Sequence, residues 1–152
     1  MAFLDQHPEL GYPVVAGLGL LVGSFLNVVI LRLPRRLEWH WKRDSREILE
    51  LPEIYDPPPP GIVVERSHCP HCKHTLSWFE NIPLVSWLAL RGRCRHCKAP
   101  ISAQYPLVEF LTGLLAVAAV WRFGFGWQGF GAALLSCFLV ALSGIDLRTR
   151  LL

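Results

Sequence analysis

Four cysteines form two Cys-x-x-Cys pairs, Cys69/Cys72 in SHCPHCKHT and Cys94/Cys97 in GRCRHCKAP, with 21 residues between the pairs. Four thiolates presented as two knuckles make a tetrahedral donor set that suits Zn²⁺. Each pair is followed by a lysine, and the nearby Lys and Arg offset the charge of a tetrathiolate. Disulfides or a redox Cys-x-x-Cys compete with this reading. A cytoplasmic placement, argued below, disfavours structural disulfides, and a doubled motif is unlike a single redox pair. His68, His71, His74 and His96 are alternative ligands, but four cysteines already close the site. The other candidate group is Asp146 in LSGIDLRTRLL, a carboxylate at the end of an apolar stretch. Asn27 and Glu109 are isolated polar groups inside apolar segments, where they are costly unless paired. Cys137 lies in a third apolar segment and reads as a small packing residue.

The elements that must position these groups are membrane segments. Hydrophobic residues make up 52% of the 152-residue chain and come in blocks, with the charged residues crowded between them. Residues 13–31 are free of charge and close to the length that crosses the hydrocarbon core. Residues 105–121 and 128–145 are two further spans, joined by RFGFGW as an antiparallel hairpin, with Trp121 and Trp127 at its boundary. The chain front, MAFLDQHPELGYP, has no Lys or Arg, so the first span reads as a retained helix rather than a cleaved signal peptide. Of the 15 Lys and Arg, 12 fall between Arg32 and Lys98. The positive-inside rule then places this loop in the cytoplasm and the N-terminus outside. A modest net charge of +3 gives nucleic-acid binding no strong electrostatic support.

The expected fold is an all-α polytopic membrane protein, with three transmembrane helices and a cytoplasmic zinc-knuckle domain between the first and second. Its expected divisions are an N-terminal helix (1–34), a charged and proline-rich spacer (35–66), the four-Cys knuckle (67–103) and a transmembrane hairpin ending at Asp146 (104–152). Within the spacer, WHWKRDSREILEL suggests a short amphipathic helix. The prolines 57–60 must be extended, and the segment reads as a solvated linker. WFENIPLVSWLAL, between the knuckles, is apolar enough to form a small core or to rest on the membrane.

GSFLNVVILRLP, the paired CPHC and CRHC, PISAQYPLVEFLTG and GIDLRTRLL together resemble the bifunctional type IV prepilin peptidases, in matching order along nearly the whole chain. That resemblance implies a bacterial inner-membrane aspartic protease. Such an enzyme cuts a basic leader from prepilins or pseudopilins after a glycine, then methylates the new N-terminus with S-adenosylmethionine, for pilus assembly or type II secretion. It implies that Asp146 is the first catalytic aspartate. The second belongs to a Gly-x-Gly-Asp-type motif several helices later, which this sequence lacks. The chain is therefore expected to be the N-terminal half of a longer enzyme and inactive by itself. Asn27 and Glu109 are then candidates for a substrate or methyl-donor site, or for helix packing. The alternative is a non-enzymatic, membrane-anchored zinc-knuckle module that binds a partner.

Overall fold

The computed structural model describes residues 7–52 and 55–150. Among them it contains four α-helices and no β-strand beyond isolated bridges. These are α1 (Pro8–Ile48), α2 (Val85–Ala89), α3 (Gln104–Phe123) and α4 (Trp127–Thr149), with a 3₁₀ turn at Trp78–Asn81. Helices α1, α3 and α4 are long and apolar enough to cross a membrane, with mean hydropathies of 2.4, 1.5 and 2.0 over their best windows. Their large side chains stay exposed on the outside, as at Leu18, Phe110 and Leu135, which is where lipid would lie.

What the helices bury against one another is small. A Cβ built on Gly19 would meet the Gly113 Cα at 2.8 Å, and one on Gly23 would meet the Glu109 Cα at 2.7 Å. Two glycines one turn apart thus let α1 lie directly on α3, the small-residue packing that membrane helices favour. Gly17 faces open space and has no such role. Leu26, Ile30, Val108, Val140 and Ala141 form the shared core, with Cys137 packed against it. Gly144 closes against Ile30. At the hairpin, Gly124 takes the positive φ of 79° that ends α3.

The first helix differs from the expected one. It does not stop near Leu31 but continues for 41 residues, on the order of 60 Å, twice the hydrocarbon thickness. Pro34 lies inside it and removes one ladder bond where the apolar stretch gives way to charge. The proline-rich segment stays largely exposed, as a solvated linker would, but it is tied to the helix. It runs back along the helix, and its carbonyls accept from one helical stripe. Arg46 donates to Pro52, Trp39 to Asp56, Arg36 to Pro59, and Arg32 to Gly61, Glu65 and Arg66. The Arg43 guanidinium lies 5.7 Å from the Trp39 ring centre on the same face. Prolines contribute carbonyls without N–H groups, so this segment cannot pair with itself and takes donors from the arginine forks.

Candidate metal centre and boundary cavity

The two cysteine knuckles are one structure repeated at an offset of 25 residues. In the first, the Lys73 N–H donates to the Cys69 carbonyl and the Cys69 N–H to His74. In the second, the Lys98 N–H donates to Cys94 and the Cys94 N–H to Ala99. Both lysines take φ 59°, the left-handed region that turns the chain back past its own cysteine. The bridges His68–Thr75 and Arg93–Pro100 close the two turns. Leu76 to Ser67 and Ile101 to Gly92 are the next equivalent bonds.

The turns bring together all four thiols, the predicted set, with every sulfur within 4.8 Å of the others. The Sγ of Cys69 is 3.8 Å from that of Cys97, and that of Cys72 is 4.0 Å from that of Cys94. A Zn–S length of about 2.3 Å in a regular tetrahedron separates sulfurs by about 3.8 Å. The spacing therefore fits a tetrathiolate cage and is far too wide for disulfides. The four histidines are not in the cage. His74 and His96 stack on each other beside it, ring centres 5.3 Å apart. Burial opposes ionisation of Cys69, but the backbone N–H groups of Cys72 and His71 and the adjoining thiols bring it down to about 6. Cys72, despite a backbone bond at His74, is pushed up to about 11 by burial and by the three thiols facing it. Cys69 therefore gives up its proton readily, whereas that of Cys72 needs a cation to displace it, as expected of a metal site.

Glu80 braces the cage from the segment between the knuckles. Its Oε2 accepts the Ser77 N–H at 2.8 Å and lies 3.8 Å from His74 Nε2. The Ser77 N–H, with help from His74 and Arg95 and against burial, holds this carboxyl below the usual carboxylate range. The sign follows from that depression. The stabilisation is complete above the unfolded pKa of about 4.3 and disappears as pH falls through the folded value. Glu80→Gln is expected to cost about 1 kcal/mol at pH 7. Thermal unfolding should show a constant gap to wild type down to about pH 5, shrinking below about pH 4. A gap unchanged at lower pH would mean that the charge plays no part.

Between the knuckles and the helices lies a cavity of about 870 Å³. Ser24, Asn27 and Arg35 line it from α1, Tyr105 and Glu109 from α3, and Arg148 from α4. Asn27 is buried and donates Nδ2 to the carbonyls of Gly23 and Tyr105, while its Oδ1 has no partner among the described residues. Glu109 is buried too, and its Oε2 accepts the Leu84 N–H at 2.8 Å. The structure thus brings Asn27 and Glu109 to one cavity. Asp146 is half-buried at the end of α4 and does not line it, although Arg148, one half-turn on, does and bonds Gln104. Sequence reasoning missed Arg32 and the Leu84–Glu109 bond. The stripe 32, 36, 39, 43, 46, at intervals of four and three, was the available signal for the first.

The family model for the bacterial peptidase A24 N-terminal domain matches residues 18–123. A prepilin leader peptidase/N-methyltransferase of Xanthomonas campestris pv. campestris is 74% identical over 152 residues, which cover 100% of this chain and 53% of its own length. One of Stutzerimonas stutzeri is 52% identical over 150 residues, 99% of this chain and 52% of the relative. One of Pseudomonas aeruginosa is 47% identical over 150 residues, with the same coverage. The chain spans about half the length of these curated relatives. No solved structure matches it.

Proposed function

The chain belongs to the bacterial peptidase A24 N-terminal domain family, and from that premise we propose that it is the N-terminal part of a prepilin leader peptidase and N-methyltransferase of the inner membrane. Asp146 is one carboxylate of an aspartic dyad in this reading. The other comes from the half of the relatives' length that the match does not reach. One carboxylate is ionised and activates water while the other, protonated, polarises the scissile carbonyl. The observation that carries this reading is the position of Asp146. It ends a spanning helix beside the turn of Arg148, at the boundary where a substrate anchored by its own apolar segment would present a cleavage site.

Within this reading the chain divides into a membrane helix in 1–34, a spacer in 35–66 that begins with the extension of α1 to Ile48, a knuckle in 67–103 and a hairpin in 104–152. Cys69, Cys72, Cys94 and Cys97 hold a structural Zn²⁺, supported by the 3.8 and 4.0 Å sulfur spacings. Asn27 and Glu109 contact the prepilin or the methyl donor, S-adenosylmethionine, in the cavity they share. The unpartnered Asn27 Oδ1 supports this, since a buried acceptor without a donor costs free energy that a ligand N–H can recover.

Two experiments test the proposal. Membranes containing the full-length protein should shorten a prepilin after its leader glycine, and added S-adenosylmethionine should raise the mass of the new N-terminus by one methyl. Mass spectrometry of the product reads both, and an unprocessed prepilin would sink the reading. A reporter fused after residue 80 should report cytoplasm, and one within 123–126 periplasm, given 12 of 15 basic residues in the central loop. The reverse pattern would put Asp146 on the wrong side for this chemistry.

A further inference from the structure

We propose that residues 78–90, between the two knuckles, form a membrane-interface wedge whose outer apolar face lies in the boundary of the leaflet nearest the metal centre. This rests on the helices spanning a membrane and not on the peptidase reading.

Depth is the first observation. Levels across the helices are set by direct contacts: Arg148 bonds Gln104, Asn27 bonds the Tyr105 carbonyl, and Gly23 abuts Glu109. The first charged groups of α1 and α4 at this end are Arg32 and Asp146, which marks the boundary near the level of Gln104. Glu109 is five residues further into α3, about 7.5 Å along its axis. Its side chain leans back toward the helix N-terminus. The Leu84 N–H that it accepts at 2.8 Å therefore lies between the levels of Gln104 and Glu109, at or just inside the boundary. Leu84 takes a positive φ of 59° there.

The second observation is which face is covered. Ser86, Trp87 and Leu90 turn toward the cavity, and the Trp87 indole N–H donates to the Ile101 carbonyl. On the other side, Val85 and Leu88 share one face of α2 and are 60% and 66% exposed, and Trp78 is 80% exposed. Val85 follows Leu84 directly and so lies at that depth, where lipid rather than water is the neighbour, and Leu88 is one turn on along the same face. Arg91, Arg93 and Arg95 follow and are exposed, and Arg95 lies 5.2 Å over the Phe79 ring. An apolar face with a tryptophan, bordered by arginines, is the composition of a segment lying in the interface, with its cations at the phosphates. Lipid is accordingly the occupant, rather than a second protein surface.

The test uses the full-length protein in native membranes, with photoreactive p-benzoylphenylalanine replacing Leu88. The same probe replaces Leu135, exposed on the spanning α4, and Ile48, exposed at the far end of α1. Replacement of Val85 provides a second reading if the Leu88 variant accumulates poorly. After irradiation, mass spectrometry should find lipid adducts at 88 or 85 in yield close to that at 135 and several-fold above that at 48. Lipid yield no higher than at Ile48, or adducts mainly to protein, whether another copy or a different part of the same chain, would overturn the proposal.

Discussion

Cys94→Ser should empty the metal site. Wild-type protein is expected to carry about one Zn²⁺ per chain and the variant close to none, measured by elemental analysis after brief exposure to a chelator. The serine hydroxyl does not ionise near neutral pH, and the remaining three thiolates form an open site rather than a closed one. Cys94 is 2% exposed, so no solvent ligand reaches its position without moving the knuckle. Structural zinc in small cysteine domains carries on the order of 10–16 kcal/mol of folding free energy, far more than the turns themselves supply. Loss of the ion should therefore unravel residues 67–103 and expose them to limited proteolysis. The α1–α3 contact at Gly19 and Gly23 does not involve the knuckle and should survive. Cys137→Ser is the matched control. That thiol packs against the helix core, and its loss should leave zinc unchanged.

The second large effect is at Asp146. Asp146→Asn in the full-length protein should lower prepilin cleavage by about 10⁴-fold, the upper range for removal of an acid–base group. The amide has nearly the shape of the carboxylate. The closing bond of α4, from the Arg150 N–H to the Asp146 carbonyl at 2.7 Å, belongs to the backbone and is retained. What is lost is the ability to share and exchange a proton with a second carboxylate. Zinc content should be unchanged, because Asp146 is not one of the four residues whose ligand atoms gather in the cage.

The sequence disclosed most where residue type alone decides the outcome. Apolar runs of bilayer length, broken only by Glu109 in the second, became the spanning parts of α1, α3 and α4, and the doubled Cys-x-x-Cys became one cluster of sulfurs, because residue type and spacing carry both signals. It disclosed least where tertiary bonds override local signals. Pro34 and the charges after it look like a helix end, yet α1 continues to Ile48. One lost ladder bond is offset by the bonds from Arg32, Arg36, Trp39 and Arg46 to the returning proline segment. That segment reads as solvated linker in isolation, because the donors that satisfy its carbonyls lie up to 34 residues away. Glu109 was legible as a buried acid needing a partner. That the partner is a backbone N–H at Leu84, 25 residues earlier, was not, since no side-chain pattern announces a main-chain donor.

Cleavage and metal content read together on one preparation test the central claim, that Asp146 is half of a protease dyad in a protein whose zinc knuckle is a separate structural site. Membranes containing full-length wild type or Asp146→Asn are incubated with prepilin, without S-adenosylmethionine, and the shift from prepilin to pilin is followed on a gel while zinc is assayed in the same purified protein. The account predicts a complete shift for wild type, no detectable shift for Asp146→Asn, and equal zinc in both. Processing by Asp146→Asn at near the wild-type rate would contradict it.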